Sequence, residues 1–294
     1  MSLISKVIPV REDSVQPQFE IAAHYNVMAE LDADIHGNKE LSRREVELAL
    51  RLIGCVPETV FLPCFGTGRH IGPLLDAGVQ RIVGVDLSPE CVKKARQEFS
   101  REPHVSLILG DLCAPAPRQR QFDAVLLLGN SFGDLVDDRA LKRFVAGITT
   151  PLKPGGCFVM DYIGTNYLKR CQSGAASEWS AMLSGCPVRD IRTPRYDKKG
   201  RVLTIEIEVR QYPYTIFGAI PWTILSRGAV LWRGYYQKKV LGHIAVQHLF
   251  DESGVRLQPR GKASSLNEYF LGHDPSEFGM ISQSEWWIGT KTPA

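Results

Sequence analysis

The chain has 294 residues, 44% hydrophobic and 23% charged, which suffices for one large globular domain or a core with a smaller insert. A net charge of +3 spread along the chain argues against nucleic acid as the main partner. Seven cysteines, an odd count without paired short spacing, and no apolar run of membrane-spanning length or leader-like N-terminal stretch predict a soluble cytoplasmic protein with no membrane partner.

In chain order, Ser42 to Ile53 carries apolar residues at helical spacing, and Gly54 is a fitting stop. Strands and helices then alternate. Strands are predicted at Thr59 to Cys64, Arg81 to Asp86, Val105 to Leu109, Ala124 to Leu128 and Cys157 to Asp161, each mostly apolar as in a sheet covered on both faces. Helices are predicted at His70 to Ala77, Pro89 to Phe99 and Asp137 to Thr149, and Lys153-Pro154-Gly155-Gly156 reads as a turn. Such alternation predicts a parallel sheet with right-handed crossovers and ligands beyond its carboxyl edge.

After Asp161 the pattern changes. Leu203 to Arg210 alternates apolar and polar residues behind a hairpin turn at Asp197-Lys198-Lys199-Gly200, so Val188 to Leu241 is expected to form a small antiparallel meander. His243 to Glu252 reads as a last helix, and Val255 to Pro259 and Trp286 to Lys291 as closing strands.

The chemistry-bearing segment is Cys64-Phe65-Gly66-Thr67-Gly68-Arg69-His70, a glycine loop between a buried strand and a helix. Its glycines permit a tight turn and close approach of a ligand to the main chain. About 20 residues on, Asp86 ends the next apolar run, the spacing at which nucleotide-binding units place an acid for ribose hydroxyls. Ser88 and Pro89 also fit the start of a helix there, so Asp86 is read beside a cap.

With these segments in order, the chain resembles a class I S-adenosylmethionine-dependent methyltransferase of the small-molecule N- or O-type. The resemblance runs over Tyr25 to Asp161 and the chain end. Phe65 to His70 is similar to the family's first motif, Val83 to Ser88 to its ribose-binding strand, and Leu109-Gly110-Asp111-Leu112 to its adenine-binding segment. Phe122 to Gly133, with Leu152 to Gly156, is similar to the fourth strand, its loop and the entry to the fifth. The resemblance implies a Rossmann-like sheet, mostly parallel with the last strand antiparallel, carrying an inserted antiparallel meander and an N-terminal helical lid. The implied division is a lid at 1–41, a core at 42–162 and 242–294, and a substrate-binding insert at 163–241.

It further implies S-adenosylmethionine as cofactor, with S-adenosylhomocysteine as product. The cofactor would be held by Tyr25, Cys64, Gly66, Thr67, Gly68, Arg69, Asp86, Leu87, Asp111, Leu112 and Asn130. One departure stands out: the position where the family usually has an acid, two before its first loop glycine, is Leu62 here, followed by Pro63, and Cys64 stands where the family has glycine. Candidates for chemistry are Asp161 and Tyr162 at the end of the fifth strand, and His24 beside Tyr25. His70 is expected to cap a helix or touch cofactor, and His243 and His248 to be partly buried and hydrogen-bonded. Tyr212, Tyr214, Phe217, Trp222, Trp232, Tyr235 and Tyr236 either wall a pocket or form the insert's own core. Arg210, Arg227 and Arg233 either meet a substrate anion or stay solvated. Asn130, Asp134 and Asp161 make a poor metal site, so no metal is expected. A small-molecule acceptor, in a monomer or homodimer, is the leading reading. Methylation of RNA or protein, and a cofactor-binding protein that no longer transfers methyl groups, are its rivals.

Overall fold

The computed structural model describes residues 21–29, 39–114, 122–163, 165–183, 186–211, 229–262 and 284–293. Helix α1 covers residues 21–29 and α2 Lys39–Ile53. The alternating core follows as β1 (Thr59–Pro63), α3 (Ile71–Asp76), β2 (Arg81–Asp86), α4 (Pro89–Glu98), β3 (Val105–Leu109), β4 (Phe122–Leu127), α5 (Asp138–Thr149) and β5 (Leu152–Tyr162). The insert contributes α6 (Thr165–Gln172), β6 (Ser177–Leu183), β7 (Cys186–Asp197), β8 (Val202–Gln211) and β9 (Ala229–Lys239). The chain returns with α7 (His243–Asp251), β10 (Val255–Lys262) and β11 (Glu285–Lys291).

Among the described residues the core strands form a seven-stranded sheet in the order β10-β11-β5-β4-β1-β2-β3. β1 to β5 run parallel, and the last strand, β11, lies antiparallel between β5 and β10, as the resemblance implied. Strand order reverses between β1 and its neighbours β2 and β4, which opens a crevice beyond their carboxyl ends. Side chains alternate across this sheet. Val60 and Leu62 of β1 join the apolar layer under α2 to α4, while Phe61 joins the layer shared with α5, α7 and the insert.

Local signals place the helices. Ser88 caps α4 by accepting the Cys91 N–H at 3.1 Å, with Pro89 in the first turn, and Asp137 caps α5 by accepting the Ala140 N–H at 2.7 Å. Three expectations need correction. Lys153 to Gly156 is a bulge inside a longer β5, because Phe122 pairs with Leu152 while Ala124 already pairs with Cys157. β3 is an edge strand with Ile108 and Leu109 exposed, so it is not covered on both faces. Among the described residues the meander has four strands, β6-β7-β8-β9, and begins at Ser177 behind the short helix α6. The Asp197 turn forms as read, its carboxylate accepting the N–H groups of Lys199 and Gly200.

Candidate active site

The loop after β1 turns through Cys64, whose φ of +53° is an uncommon conformation for a residue with a Cβ. Its N–H donates to Val85 O at 2.8 Å, which holds the turn against that strain. Gly66 follows at φ +58°, and the position a Cβ would take there has no atom within 4 Å, so a ligand can lie against this backbone. The Gly66 N–H donates to Asp86 Oδ2 at 2.8 Å, and the Ser88 N–H to Asp86 Oδ1 at 2.9 Å. Burial pushes the Asp86 carboxyl above its usual range, and these N–H bonds pull it back. Gly68 faces α4 instead, with Ala95 and Phe99 against it. Leu62, where the family's acid would stand, is packed in the core.

Beyond β3, Asp111 Oδ1 accepts the Cys113 N–H at 2.8 Å, fixing the turn that presents Leu112. Helix α5 comes so close here that a Cβ on Gly147 would lie 2.0 Å from Leu112 O. Asp86, Leu87, Asp111 and Leu112 line one cavity together with Cys64 and Gly66.

Three distant segments meet on its other wall. Gly129 and Asn130 take positive φ values in succession and swing the chain round after β4. Asp134, further along this loop, accepts a hydrogen bond from the Tyr25 hydroxyl of α1 at 2.7 Å and an ion pair from Lys238 of β9. The Lys238 ammonium also donates to Asn130 O, and Lys239 N–H donates to Gly133 O at 2.7 Å. Tyr25 and Asp134 line the cavity; Lys238, 4% exposed, backs the carboxylate from outside the lining. Helix α1 is docked by Asn26, whose side-chain oxygen accepts from the Ser88 hydroxyl at 2.7 Å, and by Lys94, which donates to Ala29 O at 2.9 Å.

His24, one residue before Tyr25, packs its ring against Tyr25, Trp232 and Tyr236 at centroid distances of 5.0, 5.9 and 4.9 Å. Burial, then the charges of Arg192 and Lys238, lower its pKa to about 3, so the imidazole is neutral near pH 7, and its Nδ1 meets no hydrogen-bond partner among the described residues. Arg192, equally buried, is held by Asp190 two residues away on the inner face of β7.

The remaining candidates lie elsewhere. Arg69 turns to Glu45 of α2 and to Ser42, and His70 Nε2 meets the same Glu45 at 2.8 Å without capping α3. Burial opposes the Glu45 charge, yet Arg69 and His70 hold the carboxyl at a pKa of about 2. Asp161 is fully buried, and its Oδ1 accepts the Asn130 N–H at 2.9 Å. Burial and then repulsion from Glu45 raise its pKa to about 6 against the Asn130 N–H, Arg69 and Ser284. The Tyr162 hydroxyl is engaged twice, donating to Lys239 O at 2.6 Å and accepting the Leu241 N–H at 2.9 Å. Thr67, Gly68, Arg69, Asn130, Asp161, Tyr162 and His24 do not line the cavity.

His243 meets Glu285 at 2.7 Å. Arg210 and Arg233 both pair with Glu208, and Tyr235 is exposed. Tyr212, Tyr214, Phe217, Trp222 and Arg227 lie outside the described residues. Sequence reasoning passed over Asp134 except as a poor metal ligand, and missed Lys238, Arg192 and Glu45. Their common signal is a charge on an otherwise inward-facing period: Glu45 beside Val46 and Ala49, and Lys238 in step with Trp232 and Tyr236. Among the described residues no group of three potential ligands could hold a metal ion, and no helix is long and apolar enough to cross a membrane.

Comparison with known proteins agrees with this geometry. A family profile described as a methyltransferase domain matches residues 63–156. A glycine/sarcosine N-methyltransferase of Aphanothece halophytica is 32% identical over 98 residues, which is 33% of this chain; the chain spans 37% of that relative's length. Among solved structures, Streptomyces venezuelae DesVI aligns with a TM-score of 0.63 at 17% identity over 96% of this chain and all of that one. The sugar N-methyltransferase KedS8 from Streptoalloteichus sp ATCC 53650 aligns with a TM-score of 0.61 at 16% identity over 97% of each chain. Those two likenesses are of fold. Residues 63–156 thus match a methyltransferase-domain profile, on a chain whose fold is like that of these two structures, and Asp86, Asp111 and the glycine loop gather around one cavity within it.

Proposed function

We propose that this protein transfers the methyl group of S-adenosylmethionine to a nitrogen or oxygen of a small molecule. One observation carries the reading: among the described residues, the cavity is lined by the carboxylates of Asp86, Asp111 and Asp134 and by no basic side chain. A phosphate-bearing nucleotide is repelled there, whereas a cationic nucleoside without phosphate fits. Asp86 suits the ribose hydroxyls, and Asp111 with the Leu112 backbone suits the adenine edge. S-adenosylmethionine supplies, when bound, a methyl group already activated on a sulfonium.

The chain's remaining tasks are to orient an acceptor and exclude water. Tyr25 of α1, tied to Asp134 and so to β9, closes the cavity from above, and this supports a small acceptor over RNA or a protein chain. Of the three catalytic candidates, His24 is the one beside the Tyr25 roof, but it stands behind the cavity wall. Burial with the Arg192 and Lys238 charges lowers its pKa to about 3, so its neutral ring supports packing of α1 rather than proton transfer. Tyr162 is committed to the exit of β9, and Asp161 holds the loop after β4. The free thiols at Cys55, Cys64, Cys91, Cys113, Cys157 and Cys171 support a reducing cytoplasm as its place, and we take the protein to act as a monomer or homodimer.

Calorimetry with S-adenosylmethionine tests the reading. The wild-type protein is expected to show saturable binding that Asp86→Ala abolishes; no saturable binding by the wild type refutes it.

A further inference from the structure

Two of the three cavity carboxylates are accounted for by a nucleoside. Asp86 stands at the end of β2 with both oxygens oriented by backbone N–H groups, and Asp111 is oriented the same way after β3. Asp134 is different. It comes from the loop after β4, its two oxygens are oriented by side chains from α1 and β9, and it exceeds what the ribose and adenine need. Cys64, on the loop between the two walls, registers both sides. Cys64, Asp86 and Asp134 line the same cavity, so the third carboxylate faces the same space as the ribose acid, and burial, then the charges of those two carboxylates, push the Cys64 thiol above its ordinary range.

We infer that Asp134 is the residue by which this cavity recognises the positive charge of the sulfonium, and so distinguishes S-adenosylmethionine from the uncharged sulfur of S-adenosylhomocysteine. The inference rests on the cofactor reading above. Its physical basis is the order of charges. The Asp134 carboxylate lines the cavity while the Lys238 ammonium stands behind it, so the pair presents its negative end to the ligand. Lys238 also donates to Asn130 O, which fixes that order against reversal. Tyr25 spends its proton on Asp134 and leaves its oxygen lone pairs available to the cavity, adding to the negative potential. The sulfonium gains from this wall and the uncharged thioether of S-adenosylhomocysteine does not, while the α-ammonium and carboxylate are common to both ligands. The product is thereby released in favour of the substrate form, without any change of shape.

The test is calorimetric and needs no methyl acceptor. Dissociation constants for S-adenosylmethionine and S-adenosylhomocysteine are measured on the wild-type protein, on Asp134→Asn, and on the double variant Asp134→Asn/Lys238→Met. The double variant leaves no buried lysine without its anion. Both variants are expected to lose affinity for S-adenosylmethionine by about tenfold, with affinity for S-adenosylhomocysteine changed less than about threefold. Raising salt from low to physiological ionic strength is expected to leave the wild-type preference nearly intact, because the pair is buried. Equal losses for the two ligands, or no loss for either, overturn the assignment of Asp134 and leave the cofactor reading standing. Failure of the wild-type protein to bind either ligand overturns both.

Discussion

Replacing Asp161 with asparagine should make the protein more stable near neutral pH. The carboxyl is fully buried, and its pKa rises from 3.8 to about 6 because burial and then Glu45 disfavour the charge more than the Asn130 N–H, Arg69 and Ser284 favour it. Between those two values the folded state holds a proton that the unfolded state has released. Folding therefore loses stability as pH rises through this window, and the full penalty is present above about pH 6. A shift of about two pKa units corresponds to about 3 kcal/mol. Asparagine keeps the shape and the oxygen that accepts the Asn130 N–H, and it carries no charge to desolvate. In urea unfolding at pH 7.5, Asp161→Asn should exceed the wild type by about 3 kcal/mol, and at pH 5 the gain should shrink to about half. A variant less stable than the wild type at pH 7.5, or a difference that does not change between the two pH values, refutes the reasoning.

His24 tilts the same profile the other way. Its pKa is lowered from 6.5 to about 3, so below pH 6.5 the unfolded state takes up a proton that the folded state refuses, and stability falls by about 1.4 kcal/mol per pH unit. His24→Phe keeps the ring among Tyr25, Trp232 and Tyr236 and should lose that decline, giving urea midpoints that drop less between pH 6.5 and 4.5 than the wild type's. Gly147→Ala should cost about 1–3 kcal/mol, because its new methyl meets Leu112 O and forces α5 outward. The displaced Leu112 should also weaken S-adenosylmethionine binding in calorimetry; unchanged stability and affinity together would contradict the close approach of α5.

Much of the core was legible from local pattern. β2 and β3 fall where the apolar runs begin and end, since each run is flanked by a helix cap or turn residue. The glycine loop and Asp86 were legible because their bond spans only 20 positions and follows from the strand-loop-helix order. The far wall was not. Tyr25 and Asp134 are separated by 109 positions, and Asp134 and Lys238 by 104. Nothing in the periodicity of either segment says that β9 will pass beside the loop after β4. Glu45 was hidden for a related reason: on an exposed helix a glutamate beside Arg43 and Arg44 looks solvated, and only the arrival of Arg69 and His70 explains its burial. The bulge in β5 escaped because Pro154 and two glycines suit a free turn as well as an interrupted ladder.

The meeting of α1, the loop after β4 and β9 at Asp134 also sets the timing of assembly. Helix α1 spans residues 21–29, too short to persist alone in water; Asn26 and Ala29 can dock on Ser88 and Lys94 early, but the Tyr25 hydroxyl meets Asp134 only once the loop after β4 is in place. That loop is in turn pinned by Lys238 and Lys239, so the roof waits until the chain has been made past residue 239. On the ribosome, the nucleoside-facing half from β1 to β3 is available well before the half that bears Asp134. The far wall of the cavity is therefore finished last, by a helix made before the sheet it covers, and the contact between Tyr25 and Asp134 should be among the first to loosen on local unfolding.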